Sequence, residues 1–207
     1  TDYYAVSFGF RKIEIKDSVL YVNGKRILFK GTNRHEMQPE SGYAVDLDGM
    51  RKDVAIMKDF NLNAVRTCHY PDDPRWYDLC DSEGLYVVCE ANVESHGMGY
   101  GEHTLAKDRE FETAHLERIR RAVQRDFNHP SVIIWAYMNE VLLRMKFVGQ
   151  PERQKIYISN VAKLARELEE LTRKEDPSRY TMLAHHGDYT RYKDAGLLDI
   201  PMITGWN

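Results

Sequence analysis

The 207-residue sequence has few cysteines and no long apolar run. Its three cysteines, Cys68, Cys80 and Cys89, lack CxxC spacing, which argues against a disulfide framework and a zinc site. We therefore expect buried free thiols. No apolar stretch approaches the roughly 20 residues needed to cross a bilayer, so no membrane partner is expected. The first residues also lack the regions of a signal peptide, which leaves the compartment open.

A strong excess of one charge is also absent. The net charge is −3 and the sequence pI is about 6.2, so neither nucleic acid nor an anionic membrane is expected as a partner. No GxGxxG or Walker loop follows an apolar segment, which weakens a nucleotide-binding interpretation. A GxSxG elbow is missing as well, which argues against a Ser-His-Asp hydrolase.

The sequence does contain a hairpin pattern and alternating strand and helix patterns. Asn23-Gly24 between two alternating segments predicts a type I′ turn. One helix is predicted to be capped by Asp48, and a second to begin at Asp73-Pro74 and stop at Gly84. Six segments predict strands with helices between most of them: ILFKGTN, NAVRTCH, LYVVCEA, VIIWAYM, YTMLAHH and IPMITGW. This alternation predicts an α/β fold with a parallel sheet.

Polar clusters at the ends of the predicted strands favour a (β/α)8 TIM barrel over an open doubly wound sheet. The clusters are Asn33-Arg34-His35-Glu36, Arg66-Thr67-Cys68-His69, Glu94-Ser95-His96, Asn139-Glu140 and His185-His186. In a barrel, the C-terminal ends of all strands meet at one mouth, where enzymes of this fold place their chemistry. We therefore expect these clusters to form one site.

Asn139-Glu140 ends the most apolar of the predicted strands. Glycoside hydrolysis needs one carboxyl group to protonate the leaving oxygen and a second, about 5 Å away in retaining enzymes, as nucleophile. A carboxyl group at the end of a buried strand is suited to the first role, and Asn139 could bind a sugar hydroxyl. The alternative is a rim carboxylate that pairs with a neighbouring arginine.

Glu94 and His96 could form a metal site together with Glu140. Carboxylates with one imidazole suit Mg²⁺ or Mn²⁺ better than structural zinc. Alternatively, Glu94 caps the following loop and His96 binds a backbone carbonyl group. His35 and His69 could bind hydroxyl groups, or could be satisfied histidines at the rim.

Three segments resemble the catalytic barrel of glycoside hydrolase family 2: NGKRILFKGTNRHE, NLNAVRTCHYPDDPRWYDLCDSEGLYVVCEANVESHGM and QRDFNHPSVIIWAYMNE. The RHE, TCHYP and ESHG motifs point to its β-galactosidase branch. This resemblance implies a retaining, exo-acting hydrolase of terminal β-D-galactosides with Glu140 as general acid/base. It implies substrate binding by Asn139, His35, Arg66 and His69, with Trp206 as a further candidate. It also implies a Mg²⁺ site at Glu94, His96 and Glu140.

The resemblance also implies a chain that forms part of a larger enzyme. Residues 1–11 would be the end of a preceding β-sandwich domain or a linker, and 12–207 an incomplete TIM barrel of about six β/α units with an N-terminal β-hairpin. The nucleophilic glutamate would follow Asn207. Met138 and Val141 stand where the family usually has GNES or GNEA, which leaves β-glucuronidase, another family 2 β-glycosidase or a non-catalytic carbohydrate-binding barrel as alternatives. The parent is expected to be a homo-oligomeric bacterial enzyme of the cytoplasm or periplasm.

Overall fold

The computed structural model describes residues 2, 3, 5, 7–91, 93, 94, 96 and 109–207, with side chains from 111 onward in the last range. A small antiparallel sheet comes first, with strands in the order β1 (Ile13–Lys16), β2 (Val19–Val22) and β3 (Lys25–Arg26). Asn23 and Gly24 join β2 to β3 with φ angles of 51° and 74°. Both angles are positive, as a type I′ turn requires, which confirms the predicted hairpin.

A parallel sheet of six strands follows in strict chain order. Its strands are β4 (Gly31–Arg34), β5 (Ala64–Thr67), β6 (Tyr86–Glu90), β7 (Val132–Asn139), β8 (Tyr180–His185) and β9 (Ile203–Trp206). The helices are α1 (Leu47–Asp59), α2 (Pro74–Glu83), α3 (Arg109–Asp126), α4 (Pro151–Glu175) and α5 (Tyr189–Asp194). A doubly wound sheet reverses its strand order near the middle, whereas a barrel does not. The predicted incomplete TIM barrel is therefore confirmed, with six parallel strands and the five helices that connect them in the described ranges.

The helix termini agree with the sequence patterns except at α1. Asp73 caps α2, and Gly84 ends it with a φ angle of 72°. The cap of α1 is Asp46, not the predicted Asp48, because the Asp46 side chain accepts the backbone N–H of Gly49. An N-cap residue has extended backbone angles, and Asp48 already lies inside the first helical turn.

The first parallel strand is shorter than the predicted segment ILFKGTN. Only Gly31–Arg34 pairs with β5. Before it, the Asn63 side chain accepts from the Lys30 backbone N–H at 2.7 Å and donates to the Leu28 carbonyl oxygen at 3.0 Å. These side-chain hydrogen bonds add to a backbone bond from the Asn63 N–H to the Lys30 carbonyl oxygen at 2.8 Å, just before the paired part of the strand.

The larger core cluster lies between the parallel sheet and its helices, and a smaller one packs residues of the first antiparallel sheet against β6 and β7. All eight residues of β7 are buried, as expected for a central parallel strand. The largest fully buried side chains include Trp76, Trp135 and Tyr137. The three cysteines are buried free thiols, as predicted. None of the helices in the described ranges is long and apolar enough to cross a membrane.

Candidate active site

Arg66 at the C-terminal end of β5 joins several strand ends. Its Nε and Nη2 atoms lie 2.7 Å and 2.6 Å from Oε2 of Glu90, at the end of β6. Its Nη2 also donates to Oδ1 of Asn139, at the end of β7, at 2.7 Å. The Asn139 amide in turn donates to Oε1 of Glu94 at 3.2 Å. The structure therefore brings three of the predicted site residues, Arg66, Asn139 and Glu94, into one hydrogen-bonded group.

Glu90 holds this group together, although it is not among the site residues predicted from the sequence. Its side chain is fully buried, and its Oε1 atom lies 2.7 Å from Nδ1 of His69. One carboxylate therefore holds both Arg66 and His69, two predicted residues of the sugar subsite. The signal was present, because an acidic residue ends the apolar segment LYVVCE just as Glu140 follows another apolar segment.

Glu140 follows β7 at the same edge of the sheet, and its side chain is 12% exposed. Its Oε1 atom accepts a hydrogen bond from the Asn207 amide at 2.7 Å and lies 3.6 Å from Nδ1 of His186. Its φ angle of 48° is in the left-handed region, which non-glycine residues rarely adopt and which recurs at functional sites. The strand-end arginine that could have neutralised it, Arg66, is bound to Glu90 instead.

The predicted metal residues lie together, with an imidazole ring between two carboxylates. Nδ1 of His96 is 3.2 Å from Oε1 of Glu94, and Nε2 is 3.1 Å from Oε2 of Glu140. Two carboxylates and one imidazole are a donor set that fits Mg²⁺. For all three to reach one ion, the His96 ring would have to turn so that a single nitrogen faces both carboxylates. Ser95, between two of these residues, lies outside the described residues.

His35 and Trp206 lie at the same edge of the sheet. The His35 ring is 5.4 Å from the His69 ring, so two predicted sugar-binding histidines are neighbours. Trp206 is 45% exposed, and its ring is 5.3 Å from that of His185. His185 is fully buried against Tyr192, and this burial lowers its pKa to about 4. The neutral His185 ring therefore supports the partly exposed indole of Trp206.

Two residues of the first polar cluster support the structure instead of facing the site. Nη1 of Arg34 donates to Asp72 at 2.6 Å, and its guanidinium group lies 3.9 Å from the ring of Trp76. Both carboxylate oxygens of Glu36 accept the backbone N–H of Asp73 at 3.1 Å. A polar residue at a strand end therefore does not by itself indicate a catalytic role.

The chain has a barrel-type parallel sheet, and carboxylates, imidazoles and an amide lie at its C-terminal edge. TIM-barrel enzymes place their active sites at this edge, so the fold and the site indicate an enzyme of this class. The family model described as glycosyl hydrolases family 2, TIM barrel domain, matches residues 13–200. The chain belongs to this family. Its membership rests on a sequence match that covers most of the chain, and not only on the fold.

Similar proteins agree with this membership. The β-galactosidase of Photobacterium profundum is 50% identical over 136 residues, which are 66% of this chain and 13% of that protein. The β-galactosidase of Pectobacterium atrosepticum is 51% identical, with the same two coverages. The structure of the Bacteroides uniformis β-glucuronidase has a TM-score of 0.87 at 29% identity and covers 97% of this chain and 23% of that one. The chain thus spans a small part of the length of its relatives.

Proposed function

We propose that this chain carries the general acid/base, Glu140, of a retaining, exo-acting β-galactosidase. The observation that supports this most is the position of Glu140 at the C-terminal end of β7, 12% exposed and next to the hydrogen-bonded Asn139. The identity of about half the aligned residues to proteins named β-galactosidase supports the choice of sugar.

In this proposal, Glu140 acts in both halves of a double-displacement reaction. It first gives its proton to the glycosidic oxygen as the leaving group departs, and then takes a proton from the attacking water. The Asn207 amide donates a hydrogen bond that orients one of its carboxylate oxygens. The nucleophilic carboxylate, which retaining enzymes hold about 5 Å from the acid, comes from another part of the full-length protein.

The neighbouring residues are proposed to bind the terminal galactose. Asn139 uses one amide hydrogen on Glu94, and its second is assigned to a sugar hydroxyl group. His35, Arg66 and His69 form the rest of the sugar subsite on the β4 and β5 side. The exposed indole of Trp206 packs against an apolar face of the sugar.

The pairing of the arginines on β4 and β5 favours a neutral sugar over a uronic acid at that part of the edge. A sugar carboxylate would need a cationic partner. The two arginines of β4 and β5, Arg34 and Arg66, are already paired with Asp72 and Glu90. The similarity to a β-glucuronidase structure makes that activity the second candidate. Comparing hydrolysis of an aryl β-D-galactoside with that of the matching β-D-glucuronide separates the two, and turnover of neither would favour a non-catalytic barrel.

We also propose that Glu94, His96 and Glu140 hold Mg²⁺ in the full-length protein. A divalent cation there would offset the repulsion between the two carboxylates and fix their separation. The proposal further includes a homo-oligomeric parent with a β-sandwich domain before residue 12.

The test of the acid role is Glu140→Gln in the full-length protein. We expect a roughly 10²- to 10⁴-fold loss of kcat/KM on galactosides with poor leaving groups, which need protonation. An activated aryl galactoside, whose leaving group departs unassisted, should lose far less in its first step. The matched control is Glu170→Gln, the same change on the exposed side of α4, which should alter neither rate. Equal losses on both substrates would refute the acid role.

A further inference from the structure

Two strand ends place a set of soft metal ligands next to each other. Ligand atoms of His35, Cys68 and His69 all lie within 4.8 Å of one another. The register of the sheet explains this, since Arg34 of β4 pairs with Thr67 of β5, so the residues that follow are neighbours. Two imidazoles and a thiolate are ligands that suit Zn²⁺, whereas Mg²⁺ prefers oxygen. The missing CxxC spacing argues only against a site built from paired cysteines, and this group contains a single cysteine.

The surrounding contacts hold these ligands in place. The backbone N–H of Cys68 donates to the carbonyl oxygen of Arg34 at 3.0 Å, which ties the two strand ends together. Glu90 is fully buried, and its carboxylate lies 2.7 Å from Nδ1 of His69. A carboxylate behind a histidine ring is the usual support of a metal-binding histidine. Oε1 of Glu94, 3.7 Å from Nε2 of His69, adds negative charge on the other side.

We propose that His35, Cys68 and His69 form a Zn²⁺ site and that bound Zn²⁺ competes with the sugar. The Cys68 thiol loses its proton to solvent as the thiolate–zinc bond forms. Three protein ligands leave a fourth position for water, as in open zinc sites. The competition rests on the proposed function, because His35 and His69 are also the proposed sugar ligands. The binding of Zn²⁺ to these three residues does not depend on the proposed function.

The two other cysteines provide an internal comparison. Cys80 lies fully buried in the core on α2, and Cys89 is 1% exposed on β6 beside Tyr77. Neither belongs to the groups of three ligand atoms found among the described residues, whereas Cys68 does. Metal binding that depends on a thiolate should therefore depend on Cys68 alone.

Binding is tested with Co²⁺, a spectroscopic stand-in for Zn²⁺, added to the full-length protein in buffer containing excess Mg²⁺. We expect a thiolate-to-cobalt charge-transfer absorption that added Zn²⁺ removes. It should be lost in Cys68→Ser and kept in Cys80→Ala. No such absorption in the unmodified protein, or the same absorption in Cys68→Ser, would overturn the site.

A second variant keeps the proposal testable if Cys68→Ser does not fold. His35 is exposed, so His35→Gln should leave the fold intact and weaken Zn²⁺ binding about tenfold or more. An unchanged Zn²⁺ affinity in this variant would overturn the ligand set.

Competition is tested by galactoside kinetics at fixed Mg²⁺. We expect Zn²⁺ to raise the apparent KM and leave kcat unchanged in the unmodified protein, with a much weaker effect in Cys68→Ser. Inhibition that lowers only kcat, or that is equal in Cys68→Ser, would refute the competition. If the protein hydrolyses no galactoside at all, the proposed function fails, while the cobalt absorption still decides the zinc site.

Discussion

Each end of the parallel sheet holds an arginine with several hydrogen-bond partners, but the kinds of partner differ, and Arg179 is buried whereas Arg66 is only partly buried. At the N-terminal end, Arg179 donates to the backbone carbonyl oxygens of Val132 at 2.8 Å, Phe127 at 2.7 Å and His129 at 3.0 Å. It also pairs with Asp176. At the C-terminal end, Arg66 donates to the side chains of Glu90 and Asn139 and to two further asparagines.

This difference separates a structural network from a functional one. Backbone carbonyl groups are fixed by the fold, so Arg179 can only hold the elements around it together. Side chains such as Asn139 have further hydrogen-bonding capacity and can share it with a ligand. The same contrast recurs in TIM-barrel enzymes, where the N-terminal end supports stability and the C-terminal end carries the chemistry.

The largest effect is expected at the N-terminal end. Arg179→Met removes the ion-pair partner of the fully buried Asp176, whose carboxylate keeps hydrogen bonds from the uncharged Trp135 and Ser178. The unpaired buried charge should lower the free energy of unfolding by about 3–5 kcal/mol. Denaturant titration of the full-length protein measures this loss. The kcat/KM of the molecules that remain folded should not change. A loss of kcat/KM without a loss of stability would contradict the purely structural role of Arg179 at the N-terminal end.

The opposite pattern is expected for Asn139→Ala at the C-terminal end. The variant removes a proposed sugar contact, and it leaves Arg66 paired with Glu90. We expect roughly a 10²-fold loss of kcat/KM. The loss of stability should be smaller than that of Arg179→Met in the same denaturant titration. Full activity in this variant would remove Asn139 from the substrate site.

His185 differs from the other residues at the C-terminal end of the sheet, because its side chain is packed as a core residue. Its buried ring has a pKa of about 4 in the folded state, whereas an unfolded histidine titrates near its ordinary value of 6.5. The unfolded state therefore binds a proton first as the pH falls. The stabilisation is complete well above pH 6.5 and is lost as the pH falls toward 4, at a cost of about 3 kcal/mol.

His185→Phe should remove this part of the acid destabilisation. The measurement is the free energy of unfolding of both proteins at several pH values between 7 and about 4. His115 has its pKa lowered to about 4 by burial as well, so part of the pH dependence should remain. An identical pH dependence in both proteins would show that His185 is accessible to protons in the folded state.

A smaller effect is expected from metal removal. Chelation should lower the activity of the full-length protein about tenfold, and Mg²⁺ should restore it. Glu94→Gln should weaken both the activity and its dependence on Mg²⁺. A chelator-insensitive enzyme, with no ion seen at Glu94 in a structure grown with Mg²⁺, would leave His96 as a structural bridge between Glu94 and Glu140.

The order of elements was predictable because each pattern is local. The Asn23-Gly24 turn, the Asp73 cap and the end of α2 at Gly84 all depend on a few adjacent residues. The predicted cap of α1, Asp48, is wrong by two residues, because Asp46 also fits the pattern and only the backbone angles distinguish the two aspartates. Local patterns therefore predict which helices and strands form, but they locate the ends of these elements only to within a few residues.

The candidate site was predictable as a set of strand ends but not as a set of contacts. Glu90 is important because Arg66 and His69 both reach it, and these contacts depend on the pairing of β5 with β6. Likewise, His35 meets Cys68 only through the register of β4 and β5. The position of the His96 ring between two carboxylates depends on side-chain torsions, which sequence patterns do not specify.

The most direct test of the account is a crystal structure of the full-length protein with a non-hydrolysable thiogalactoside. We predict that a carboxylate oxygen of Glu140 lies at hydrogen-bonding distance, about 2.6–3.2 Å, or slightly longer for sulfur, from the glycosidic atom. The Asn139 amide should contact a hydroxyl group of the same sugar. A sugar bound away from the C-terminal ends of the strands, or bound there without contacting Glu140 and Asn139, would contradict the assignment of this edge as the active site.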